Sequence, residues 1–112
     1  MECNHAMSEA VSYCENESYT KLKNKIIMKN AKYSINANLV YKNGYSGKNV
    51  NIAVLDTGVF KHKQLEGCIK HFMDFVGGKE TCYDDNGHGT HVCGILSAAD
   101  IGMAPGAGLY VF

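Results

Sequence analysis

Two short blocks hold the side chains best suited to chemistry. The first, AVLDTG at 53–58, sets Asp56 directly after an apolar, β-branched run. The second, DDNGHGTHVCGI at 84–95, sets His88 between Gly87 and Gly89. A carboxylate and an imidazole brought together are two thirds of a nucleophilic triad. The imidazole takes the nucleophile's proton, and the acid fixes its tautomer and steadies the imidazolium that forms. The two glycines leave the ring unobstructed and let backbone come close. A helix starting at this turn would disfavour imidazolium, because its N-terminal dipole end is positive. A nearby carboxylate such as Asp56 opposes that effect and leaves the base near working pH. Each block alone is weak. Asp-Thr-Gly also occurs in aspartic proteases, a lone Asp at a strand end is often a turn former, and an isolated His is often structural.

Such a pair works only if regular elements bring it together across the intervening chain. VNIAVL (50–55) reads as a parallel strand buried on both faces. Asp56 then falls at the carboxyl end of that strand, where α/β sheets usually place ligands and chemistry. IKHFMDF (69–75) is a second strand, and the acidic, Gly-rich GGKETCYDDNGHG that follows is a loop. Residues 91–99 predict a helix, with a start as early as the Gly-His-Gly turn. GMAPGAG (102–108) is loop, and LYVF (109–112) begins a third strand. Strand, loop, strand, helix, strand is an α/β pattern. Upstream, INANLVYKN (35–43) predicts a short helix with Ile35, Leu39 and Val40 on one face, and GYSGKN (44–49) a turn. Residues 8–30 read as a helical or partly ordered extension of weak periodicity.

Composition narrows the possibilities further. The 112 residues are enough for one ordinary domain with a core. Eleven Lys, no Arg and eleven acidic residues balance to zero formal charge, and no basic stripe stands out, so nucleic acid is not an expected partner. The Lys-rich stretch 21–32 has no aromatic interleaving and reads as a solvated face. No apolar run approaches a membrane span, so a membrane partner is not expected either. The first 43 residues contain no Gly, and all 12 glycines lie at or beyond Gly44. That shift marks an N-terminal extension, 1–34, ahead of a folded portion, 35–112. The N-terminus MECNHAMSEAVS has no apolar h-region and does not read as a secretory signal. The compartment stays open between an intracellular protein and a secreted one with an incomplete N-terminus.

Taken together and in order, the two blocks resemble the subtilisin-like serine proteases (subtilases). VNIAVLDTGV is similar to that family's aspartate block and NGHGTHVCGI to its histidine block. The flanks agree: GYSGKN before the first strand, His62 and Leu65 after the DTG, and MAPGAGLYV after the helix. The resemblance covers roughly 35–112 and implies the family's chain order of Asp, His, Ser. It implies Asp56 as triad acid, His88 as base, a structural role for His91, and a polypeptide substrate. Asn86 and Gly87 are then shapers of the turn. The fold it implies is α/β: a partial subtilisin-like parallel sheet with flanking helices, without the C-terminal strands. It places the first strand beside both the third and a fourth, so VNIAVL is expected to present an open apolar edge and the isolated chain to be poorly soluble or only partly folded. Residues 1–34 suit a propeptide remnant and are short for a whole one. The family's nucleophile sits in a Gly-Thr-Ser-Met-Ala block, and Ser18, Ser34, Ser46 and Ser97 have no such context. The chain by itself is expected not to cleave peptides. One rival reading is a truncated, non-catalytic paralogue that binds or inhibits a protease.

The second rival is a metal module. Cys82, Asp84, Asp85, His88, His91 and Cys93 are rich in donor types, and a zinc site there is the alternative to the triad. The spacing matches no common zinc pattern, so no metal and no cofactor is expected. Calcium is common in subtilases, but their His-Pro-Asp-Leu is His62-Lys63-Gln64-Leu65 here, and the connection 98–103 is short for their calcium loop. No calcium ligand carries over. The five cysteines, Cys3, Cys14, Cys68, Cys82 and Cys93, include no CxxC pair and read as mostly free thiols. Cys93, where the family more often has Ala, reads as a small buried filler. Its place beside the base raises the question of sensitivity to thiol reagents.

Overall fold

The computed structural model describes residues 31–112. The extension expected over 8–30, most of the 1–34 segment, Cys3 and Cys14 lie outside the described residues. In chain order the elements are α1 (Ala37–Lys42), β1 (Asn51–Val54), a 3-10 turn (Lys63–Leu65), β2 (Ile69–Phe72), α2 (His88–Ser97) and β3 (Gly108–Val111). This is the α/β pattern read from the sequence.

The three strands form one parallel sheet in the order β1-β3-β2. β3 is central because it is the most apolar: Leu109 and Val111 are fully buried, opposite Ile52 and Val54 of β1 and Ile69 and Phe72 of β2. Val54, Val59, Leu65, Cys68, Cys93, Ala98, Leu109 and Val111 close the core between this face and α2. The β1–β3 ladder continues past the strands, with Phe112 N–H donating to Val54 O and Asp56 N–H to Phe112 O at 2.8 and 3.1 Å. That extra rung fixes the backbone of Asp56 at the sheet's carboxyl edge.

The sheet's other face corrects one expectation. β1 was read as buried on both sides, yet Asn51 and Ala53 are exposed and Leu55 is 77% exposed. Side chains alternate along a strand. Only the Ile52/Val54 side therefore meets α2, and the described residues supply no second layer over Ala53, Tyr110 and His71. β1 lies at the edge of the sheet.

α1 forms where expected but turns a different face inward. Ile35, Leu39 and Val40 are 63%, 57% and 48% exposed. Ala37 is buried instead, and the Tyr41 hydroxyl donates to Met103 O at 2.6 Å. The turn at 44–49 is present and is held by Gly106 N–H donating to Ser46 O at 2.8 Å. α2 starts at His88, the early limit of the expected range, and stops at Ser97 because Ala98 is extended. No described helix is long and apolar enough to cross a membrane.

Candidate active site

Asp56 and His88 are brought into contact. His88 Nδ1 lies 2.7 Å from Asp56 Oδ1, across 32 positions of sequence. The same carboxylate oxygen accepts from Thr57 N–H at 2.8 Å. The His88 side chain is 63% exposed and that of Asp56 16%. One ring nitrogen is thus committed to the acid while the imidazole faces solvent. No described serine hydroxyl hydrogen-bonds to His88.

Two local features place the imidazole. Gly87, the residue before α2, has φ 90°, a left-handed conformation that favours glycine. Gly89 packs so tightly on the Asp56 turn that an added Cβ would collide with Gly58 O. Gly58 and Asp84 form an isolated antiparallel bridge, and Val59 N–H donates to Tyr83 O at 2.9 Å. The 82–88 loop is thereby laid against 56–59. Asn86 shapes the turn as expected, its Oδ1 accepting from His88 N–H at 3.2 Å.

The loop entering this turn is organised by Asp74. Its carboxylate accepts from the N–H groups of Val76, Gly77 and Lys79 and from the Tyr83 hydroxyl, at 2.7–3.1 Å. The Gly77 and Tyr83 bonds, in that order, lead in holding it well below the usual carboxylate range. Lys79 Nζ sits 3.7 Å from the Tyr83 ring centroid.

The charges of the pair move in opposite directions. The His88 hydrogen bond lowers the Asp56 pKa, partial burial opposes that, and the Thr57 N–H adds to the lowering. The Asp56 hydrogen bond and then its charge raise the His88 pKa, with a smaller contribution from Asp84. The carboxylate therefore outweighs the partial burial of the imidazole, which alone would lower it.

Asp84 was read from the sequence only as one of several metal donors. It is the buried hub of the site, 4% exposed, with both oxygens hydrogen-bonded inside the protein. Among the described residues no group of three or more His, Cys, Asp or Glu is arranged to hold a metal ion. His91, expected to be structural, is exposed one turn along α2. Cys93 is fully buried, and burial pushes its thiol up to about 12. Cys68, Cys82 and Cys93 are free thiols. An open depression of about 690 Å³ lies beside Asp56 at the strand ends, lined among others by Leu55, Phe72, Met73, Tyr83 and Phe112. A second, of about 600 Å³, lies around Lys61–Phe72 and includes neither Asp56 nor His88.

The parallel sheet thus carries an acid–imidazole pair at its carboxyl edge. Comparison with known proteins gives the class. Residues 47–112 match the model of the subtilase family of peptidases. The chain is 39% identical over 98 residues to serine protease AprX of Bacillus subtilis, covering 84% of this chain and 22% of AprX. It is 44% identical over 87 residues to the major intracellular serine protease of the same organism, covering 69% and 27%. It is 40% identical over 81 residues to subtilisin Savinase of Lederbergia lenta, covering 68% and 29%. The chain belongs to the subtilase family. It spans less than a third of the length of these relatives.

Proposed function

We propose that this chain supplies the acid and the base of a subtilisin-like serine endopeptidase that hydrolyses polypeptides. Asp56 holds His88 in the tautomer with its proton on Nδ1. The other ring nitrogen, Nε2, is then the one that takes the proton of a serine nucleophile and returns it to the leaving amine. The serine is one that this sequence does not contain, and so the chain by itself does not turn over substrate. In subtilisin itself, losing the nucleophile costs on the order of a millionfold in kcat. The single observation that carries the reading is the 2.7 Å contact between His88 Nδ1 and Asp56 Oδ1.

The test uses the longest open reading frame that contains this sequence, assayed on a peptide amide with and without Asp56→Asn. The base acts only when neutral, so the acid limb of the kcat/KM profile should lie above an ordinary histidine pKa, as the Asp56 effect on His88 requires. Asp56→Asn should cost about 10⁴-fold, the loss found where an Asn reverses the tautomer of such a base, and should move the limb down. A variant of near-parental activity would refute the assignment. In the chain alone, a fluorophosphonate probe should label no serine.

A further inference from the structure

We infer that Asp84 is the positioning residue of the acid–base pair, a buried carboxylate that ties the Asp56 turn and the start of α2 into one frame. The inference rests on reading Asp56 and His88 as acid and base. Asp84 touches neither of their side chains and holds the neighbours of both. Its Oδ1 accepts from the Thr57 hydroxyl at 2.9 Å, Gly87 N–H at 2.8 Å and Asn86 N–H at 3.2 Å. Its Oδ2 accepts from the N–H and hydroxyl of Thr90 at 2.8 and 2.5 Å. Both threonines pass the connection on. Thr57 Oγ1 accepts from Gly89 N–H at 3.0 Å, and Thr90 Oγ1 accepts from Phe60 N–H at 2.9 Å. Thr57 follows the acid directly, while Gly87 and Gly89 flank the base. Beside the Gly58–Asp84 backbone bridge and the direct contact of acid with base, this carboxylate and its two hydroxyl partners are the side-chain links between the halves of the pair.

The residue type follows from the donors. Five donors converge on two oxygens, a demand that a carboxylate meets and an amide cannot. An asparagine has one acceptor oxygen, and its NH₂ would face the Thr90 N–H donor to donor. Burial by itself would raise the Asp84 pKa, but the bonds from Thr90, Gly87 and Thr57 outweigh it and keep the group ionised. The described charges that act on the His88 imidazole are Asp56 in contact and Asp84 at longer range. Asp85, next in sequence, is exposed, with Lys79 Nζ 3.8 Å from its carboxylate.

The experiment follows the His88 imidazole through its NMR titration in this chain, a readout that needs no catalysis. The variants are Thr57→Val, Thr57→Ser, Asp84→Asn and, as reference, Asp56→Asn. Thr57 is exposed, so its β-branched isostere removes the hydroxyl bridge without opening the core. Thr57→Val should let the pair loosen, so the His88 pKa falls from its raised value toward the ordinary one. Thr57→Ser should restore it. Asp84→Asn should lower it further, by adding loss of charge to loss of geometry. In the complete peptidase, Thr57→Val should lower kcat about tenfold to a hundredfold at unchanged KM, the scale of a misplaced catalytic group. If Asp56→Asn shifts the titration while folded Thr57→Val and Asp84→Asn leave it unchanged, the positioning role is wrong and the acid–base reading stands. If Asp56→Asn also leaves it unchanged, the acid–base reading itself falls. Should Asp84→Asn unfold, the Thr57 pair alone decides.

Discussion

Cys93 stands on α2, five positions after the base, and its environment makes a quantitative statement about thiol reagents. The side chain is fully buried among core residues, and its pKa is pushed up to about 12, first by burial and then by the charges of Asp56 and Asp84. The thiolate is the reactive species. At pH 8 its fraction at Cys93 is on the order of 10⁻⁴, against roughly 0.1 for an ordinary cysteine, a loss of about a thousandfold before steric access is counted. Cys82 is only half-buried, so it is the internal standard. The assay is a time course with iodoacetamide on the native chain at low micromolar concentration, with peptide mapping by mass spectrometry. Cys82, the more accessible thiol, should be carbamidomethylated well before Cys93. Reaction at Cys93 should become comparable only in denaturant, because it has to proceed through opening of the core. If Cys93 reacts at the rate of Cys82 in the folded chain, the packing of α2 on β3 is wrong, and thiol reagents do reach the neighbourhood of the base.

Other predictions concern stability and association. Gln64 ties the turn after β1 to the connection after α2, its amide donating to Asp100 Oδ2 and accepting from Asp100 N–H, both at 3.1 Å. Gln64→Ala should lower the unfolding free energy by about 1 kcal/mol in urea titrations, and an unshifted midpoint would contradict this. Asp84 and Asp56 have folded pKa values below their unfolded ones, so their contribution is present above about pH 4 and is lost as the pH falls through the folded values. His88 runs the other way: its raised pKa gives stability that is complete below about 6.5 and is lost as the pH rises through the folded value. Chemical denaturation from pH 3 to 9 should therefore show a maximum in the mildly acidic range, and a profile flat between pH 5 and 3 would refute the carboxylate assignment. The β1 edge, with Leu55 77% and Val50 52% exposed, should make the chain self-associate with concentration. Ala53→Lys should reduce that association, whereas sedimentation of the parent as a monomer at high concentration would dismiss the edge as its cause.

What could be read in advance divides along the range of the interactions. The apolar runs VNIAVL and LYVF gave β1 and β3 within one residue at each end, whereas β2 was right at Ile69 and ends at Phe72, three residues before the expected 75. α2 was found with its end two residues too far along, since nothing in Leu96-Ser97-Ala98 signals that Ala98 turns extended. Local pattern misled at α1, where Ile35, Leu39 and Val40 share a helical face but Ala37 and Tyr41 make the contacts. It misled again at Ala53, whose exposure depends on whether a second layer covers the sheet. Among the site residues, Asp56 and His88 were legible from type and order. The role of Asp84 was not: its bond to the Thr57 hydroxyl spans 27 positions, and no periodicity encodes which carboxylate in the run Asp84-Asp85 turns inward.

The contrast between those two neighbours carries the last step. Asp84 is buried and accepts five hydrogen bonds, whereas Asp85 is exposed and near a lysine. The difference arises from the Gly58–Asp84 bridge, which sets Asp84 opposite the Asp56 turn and sends the next side chain outward. The close approach of Gly89 to Gly58 allows that bridge, and a Cβ at either glycine would strike a backbone carbonyl oxygen. The glycines around His88 therefore do more than free the ring. They let two backbone segments come near enough for one carboxylate to serve both, and the 2.7 Å contact between acid and base follows from that approach. The geometry of the pair is thus made by contacts between 56–60 and 83–90, together with the Phe112 rung that holds the Asp56 backbone. It does not depend on what covers the outer face of the sheet.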